Sequence, residues 1–291
     1  MSPARLAPAR LAFVRLAPAR LAPARLASAR FAPARFAPAW AAAAWMLAAP
    51  LHGASAQAIP PSVLPGLGPD AARASVDVAR MPWRAVVRVQ TETGGRCTGA
   101  LIGPRAVLTA AHCLLGRATG RPIQPRSVHV LSGYDRGGFD GHARAVSFTA
   151  GPGFVDAPAS APPGADWAVL TLDAPLGAPD RVLPLLHRAP TPGTPVMLGG
   201  YAQDRAHAMV ADLECAVVGP VRDAAGHVLL RHSCAATRGA SGAPLLARAP
   251  GGGWGIVGVA SRAGVGVSGG YAVPAAAVGP APEDAAGRLA R

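Results

Sequence analysis

At 291 residues the chain is long enough for one large domain or two small ones, each with its own core. Hydrophobic residues make up 51% but aromatics only 5%, and 35 Gly with 31 Pro exclude a helical bundle in favour of many short strands joined by turns. The net charge of +13 is uneven: residues 1–58 hold seven Arg and no acid, while the rest sets 21 Arg against 15 acids, a mild excess that makes charge a poor argument for nucleic-acid binding.

Residues 1–35 repeat a five-residue unit with Arg at every fifth position and Pro in almost every unit. Five matches neither the helical nor the strand period, so the segment reads as low-complexity. An apolar run from Phe36 to Leu51 follows, and then the small-x-small sequence Ala56-Gln57-Ala58. Basic, apolar and small-residue regions in that order describe a secretory signal cut after Ala58, and hence a secreted or periplasmic protein. The acid-free, Arg-rich start also fits an organellar transit peptide. Residues 59–77 are a spacer or propeptide, and no later apolar run is long enough to span a bilayer.

Short β-like runs come next, at 84–90, 98–102, 106–109, 128–131, 145–148 and 168–172. A Pro-rich passage, 174–195, interrupts them as a candidate linker. Six more runs follow at 196–198, 215–218, 228–230, 243–246, 255–261 and 270–273. Two groups of six point to two barrels, one over 78–180 and one over 181–280, with a tail at 281–291 that could form a short helix. The fold expected is all-β, two six-stranded Greek-key barrels packed together with the site in the cleft between them.

Cys97, Cys113, Cys215 and Cys234 all follow the signal, and an even number in an exported chain suggests disulfides. Four cysteines allow three connectivities; pairing of sequence neighbours, Cys97–Cys113 and Cys215–Cys234, is adopted here. No Cys-x-x-Cys occurs, and His129, His142, His187, His207, His227 and His232 show no paired ligand spacing, so no metal and no cofactor is expected.

Four stretches carry chemistry. Cys97-Thr98-Gly99-Ala100-Leu101-Ile102 precedes Thr109-Ala110-Ala111-His112-Cys113; Asp166-Trp167-Ala168-Val169-Leu170 and Gly239-Ala240-Ser241-Gly242-Ala243-Pro244 follow. Together, over about residues 78–275, they resemble the trypsin/chymotrypsin family, especially its bacterial glutamyl-endopeptidase-like branch. The resemblance implies a serine endopeptidase acting through an acyl-enzyme, with Ser241 as nucleophile, His112 as base and Asp166 orienting the imidazole. It further implies an oxyanion hole from the N–H groups of Gly239 and Ser241. Ala243 breaks the Gly-x-Ser-x-Gly pattern of α/β-hydrolases.

Departures from the family pattern limit the rest. Ala240 stands where animal trypsins carry the acid that pairs with a new N terminus, so activity is expected not to depend on accurate trimming. The position matching the base of the primary pocket is Ala235, which argues against cleavage after Arg or Lys. Ser261, Arg262 and Ala263 resemble the substrate-pairing strand, and Ala260 replaces the His of glutamate-specific relatives. Arg238 and Arg262 could favour acidic groups at the rim, or could be solvated surface residues. A small or apolar residue before the scissile bond is the expectation. Partners are protein or peptide substrates met by a monomer, with no nucleic acid and no stable membrane insertion. The competing readings are a catalytically silent homologue serving as a binding module, and a basic nucleic-acid- or membrane-binding protein.

Overall fold

The computed structural model describes residues 64–154 and 158–279. The leader, residues 59–63 and the tail from 280 lie outside the described residues, as does the short helix expected in 281–291. Twelve strands close into two antiparallel barrels. The first is built from β2 (Val86–Thr91), β3 (Arg96–Leu101), β4 (Ala106–Thr109), β5 (Val128–Ser132), β6 (Gly141–Ala150) and β7 (Ala168–Leu172). The second contains β8 (Pro195–Gly200), β9 (Val210–Arg222), β10 (Val228–His232), β11 (Pro244–Arg248), β12 (Trp254–Ala263) and β13 (Gly270–Pro274). A two-residue strand, β1 (Ala74–Ser75), adds to β9 at Ala211 and Val210. Strand order is β2-β3-β4-β7-β6-β5 in the first barrel and β8-β9-β10-β13-β12-β11 in the second, the same Greek-key path twice. No described helix is long and apolar enough to cross a membrane.

Several strands bury residues on both faces, so their apolar residues do not alternate with polar ones. In β2, Val87 and Val89 fill the first barrel while Val86 turns to the seam between barrels. In β4 and β7, Val107, Leu170 and Leu172 point into the barrel, and Leu108 and Val169 face the seam. The second barrel contributes Leu246, Ile256, Val259 and Val273 to that seam. Trp83, just before β2, packs there against Gly199 of β8. A Cβ at Gly199 would lie 2.5 Å from the Trp83 ring, so only glycine fits.

The Pro-rich passage after β7 contains no strand, yet it is docked throughout. Leu176 N–H donates to the Pro104 carbonyl on the first barrel, and Leu186 N–H to that of Ile256 on the second. Leu183, between them, is buried in the seam.

Residues 64–77, which the sequence assigns to a spacer or propeptide, lie against the second barrel. Leu64 and Leu67 are buried on Ala235. Gly66, at φ +79°, donates to the Gly264 carbonyl, and its own carbonyl accepts from Ala236 N–H. A Cβ there would sit 1.9 Å from the Ala236 carbonyl oxygen. The fold also separates crowded from open glycines, which can be tested by chemical denaturation. Gly199→Val is expected to destabilise by about 1–3 kcal/mol through overpacking. Gly251→Ala, with open space around its Cβ, is expected to stay within about 0.5 kcal/mol of the parent.

Candidate active site

His112 sits in the turn Ala111–Leu114 that ends β4, and the Cys97–Cys113 disulfide ties this turn to β3. The second disulfide joins Cys215 of β9 to Cys234, so both bridges link sequence neighbours. Asp166 follows the turn Pro163–Ala165 and precedes β7. Because β4 pairs with β7 at Thr109 and Ala168, the strand ladder carries Asp166 beside His112. One carboxylate oxygen accepts from the His112 backbone N–H at 2.9 Å and the other from the ring Nδ1 at 2.8 Å. An ionised carboxylate only accepts, so Nδ1 is the protonated nitrogen and Nε2 is left to act as a base.

Asp166 is 4% exposed. Burial pushes its carboxyl up; the hydrogen bonds from the His112 ring, Ser261 and the His112 backbone, with the charge on His112, outweigh that and hold it below the usual carboxylate range. The Ser261 hydroxyl donates to Asp166 at 2.5 Å. Ser261 therefore serves the Asp166 carboxylate with its side chain, whereas the sequence pointed only to substrate contact.

Ser241 lies in a tight turn that glycines on either side make possible. Gly239 has φ +93° and Gly242 φ +80°, and a Cβ on either would fall within 2.4 Å of a backbone oxygen. Ala240 N–H donates to Thr237 O, Ala243 N–H to Ala240 O, and Gly242 N–H to Ala260 O. Among the described residues, the N–H groups of Gly239 and Ser241 have no acceptor. Two unpaired donors flanking one hydroxyl are the arrangement that would receive an oxyanion. Ser241 and His112 border the same cleft, with no hydrogen bond between their side chains. Catalytic hydrogen bonds are often longer before substrate binds.

Thr98, on β3 next to Cys97, was not singled out by the sequence. It is fully buried. Its N–H donates to the Ser241 carbonyl at 2.9 Å, and its hydroxyl donates to the Gly239 carbonyl at 2.8 Å while accepting from Tyr201 N–H at 3.0 Å. Its own carbonyl accepts from the Thr109 hydroxyl at 2.7 Å. One first-barrel residue thus fixes the second-barrel turn that holds Ser241.

Two cavities meet at Ser241. One, of about 320 Å³, is bordered by Ala260–Ala263 and Arg238 and closed by Pro65, Ala236 and His232. Ala235 is not in its lining: it faces Leu64 and Leu67, and its N–H donates to Asp212. The other, of about 600 Å³, extends past His112 and the Cys97–Cys113 disulfide. The one group of potential metal ligands among the described residues, Cys97, His112 and Cys113, has both sulfurs in that disulfide.

Two predictions follow from these contacts. Thr98→Val removes the hydroxyl at nearly constant volume and orphans Gly239 O and Tyr201 N–H. Steady-state kinetics should show kcat reduced about tenfold or more with KM nearly unchanged, and Thr98→Ser should restore most of it. His232 is 4% exposed, and neither ring nitrogen has a partner among the described residues; burial pushes its imidazole down to about 4. With an unfolded value near 6.5, the native state binds fewer protons, so stability present above about pH 6.5 is lost as pH falls through 4. Urea titrations should show a loss on the order of 3 kcal/mol across that window, which His232→Gln should largely remove.

Comparison with curated proteins gives no match. Among solved structures, the chain resembles one described as Glu endopeptidase in complex with MPD, with 21% identity and a TM-score of 0.57, over 72% of this chain and 94% of that one. That identity bears on the fold alone. The family model described as Trypsin matches residues 73–278, most of the chain and all of both barrels. The chain belongs to the trypsin family of serine endopeptidases.

Proposed function

We propose that the protein is exported, loses its leader after Ala58, and hydrolyses peptide bonds as a monomer through His112, Asp166 and Ser241. The observation that carries this reading is the pair of unbonded N–H groups at Gly239 and Ser241, in the cleft bordered by an imidazole whose Nδ1 is held by buried Asp166. The Ser241 hydroxyl oxygen attacks the scissile carbonyl carbon as its proton passes to His112 Nε2. The carbonyl oxygen takes the negative charge and accepts from the two N–H groups. Collapse of this intermediate breaks the C–N bond, His112 gives its proton to the departing amine, and an acyl ester remains on Ser241. Water, activated by the same imidazole, then releases the acid and restores the serine. Asp166 stays ionised throughout.

The first cavity receives the side chain before the scissile bond. Among the described residues no carboxylate lines it, and Pro65, Ala236, Ala260 and Ala263 make its walls largely apolar, which supports a small or apolar residue there over Arg or Lys. One observation leaves room for a silent homologue that binds peptides: no hydrogen bond joins Ser241 to His112. A fluorophosphonate probe separates the two readings. The secreted protein should be labelled and should cleave a peptide library, its intact mass should place the N terminus at Ile59, and Ser241→Ala should abolish labelling and turnover. Equal labelling of both proteins, or a labelled protein inert on every peptide, would sink the proposal.

A further inference from the structure

Resting on that reading, the second cavity takes on a defined place in the substrate path. If the side chain before the scissile bond enters the cavity bordered by Ala260–Ala263, the chain after it must leave in the other direction. That direction runs past His112, the group that hands a proton to the departing amine, and past the Cys97–Cys113 disulfide. The cavity there, about 600 Å³, is the larger of the two.

Its charge is one-sided. Arg96, Arg117 and Arg238 border it, and among the described residues no Asp or Glu does. Arg96 opens β3 immediately before Cys97, Arg117 lies just beyond the His112 turn, and Arg238 immediately precedes the oxyanion-hole residue Gly239. All three are exposed, and none makes an ion pair among the described residues. Elsewhere this fold pairs its guanidinium groups when a carboxylate is near: Arg73 with Asp204, Arg84 with Asp180, Arg144 with Glu92. Asp204 belongs to the turn Gln203–Arg205, whose Gln203 also borders the cleft, yet its carboxylate is held by Arg73. Gly94 and Gly95 at the far end add no side chain that would fill the space.

Three like charges around one concave surface repel each other and focus a positive potential into it. A carboxylate placed among them relieves that repulsion, and the planar guanidinium fork is shaped to hold it. We propose that this cleft is a subsite for acidic peptide, selecting substrates with Asp or Glu in the two or three residues that follow the scissile bond. Arg96 and Arg117 hold those carboxylates from the first barrel. Arg238, shared by both cavities, contributes charge at the scissile bond itself.

The test uses the full-length secreted protein and internally quenched peptides that share one sequence before the scissile bond. After it they carry Glu-Asp, the isosteric Gln-Asn, or Arg-Arg. Exposed pairs are individually weak, so the three arginines together should raise kcat/KM for the acidic peptide about tenfold over the neutral one at low salt. The ratio should collapse toward one in 0.5 M NaCl, where the screening length is only about 4 Å. In Arg96→Gln/Arg117→Gln it should fall to about two. A ratio near one in the parent protein, a preference for Arg-Arg, or a ratio that the double substitution leaves unchanged would overturn the proposal. If no peptide is cleaved, the catalytic reading fails, and anisotropy of a labelled acidic peptide then decides the cleft. Weaker binding to the double variant supports the subsite; equal binding overturns it.

Discussion

The Thr98 clasp is the contact on which the rest of the site depends. Ser241 and the unpaired N–H groups beside it come from the second barrel, whereas the His112 imidazole and the Asp166 carboxylate come from the first. Apolar packing in the seam brings the barrels together, but burial is non-directional and cannot orient a peptide plane. Thr98 supplies the direction. With its N–H on the Ser241 carbonyl and its hydroxyl on the Gly239 carbonyl, it sets the peptide planes on both sides of Ser241. Among the described residues, the N–H groups of Gly239 and Ser241 are left without an acceptor in that held turn.

A second layer of constraint works on the first-barrel side. Asp166 accepts from His112 twice and from Ser261 once, so the acid is shared between a first-barrel turn and a second-barrel strand. Removing a buried carboxylate's donors leaves an uncompensated charge, which costs more than the bonds themselves contribute. The seam is therefore polar at its catalytic end and apolar along its length, and the polar end is where the two halves are held in register.

Much of this was legible in the sequence, for physical reasons that also explain the gaps. The runs 106–109 and 168–172 coincide with β4 and β7 because strands buried on both faces carry nearly unbroken apolar sequence, Thr109 and Thr171 being the exceptions. β9 runs from Val210 to Arg222, far beyond the expected 215–218, because Asp212 and Glu214 on one side and Gly219-Pro220 on the other interrupt its apolar residues. β1 is two small residues with no pattern at all. His112 and Ser241 stand out through their small neighbours, which leave room for a tight turn. Thr98 does not, since a buried threonine in a strand is ordinary and its partner lies 141 positions away. Counting back from Ser241 pointed to Ala235 for the pocket base, while His232 and Ala236 border the pocket instead. Ala235 is instead covered by Leu64 and Leu67, from a segment whose docking on the second barrel no count along the chain could reveal.

The short segment ahead of the barrels has a bearing on how much of the chain is disposable. With Pro65 forming part of the pocket wall and Gly66 wedged between Ala236 and Gly264, these residues answer to the same steric demands as the strands they touch. Leu67, with no surface left to solvent, fastens them in place. Loss of Pro65 would open the pocket wall, and loss of Leu64, Gly66 or Leu67 would undo the packing that holds Pro65 there, so the pocket is completed by residues that precede the first barrel strand.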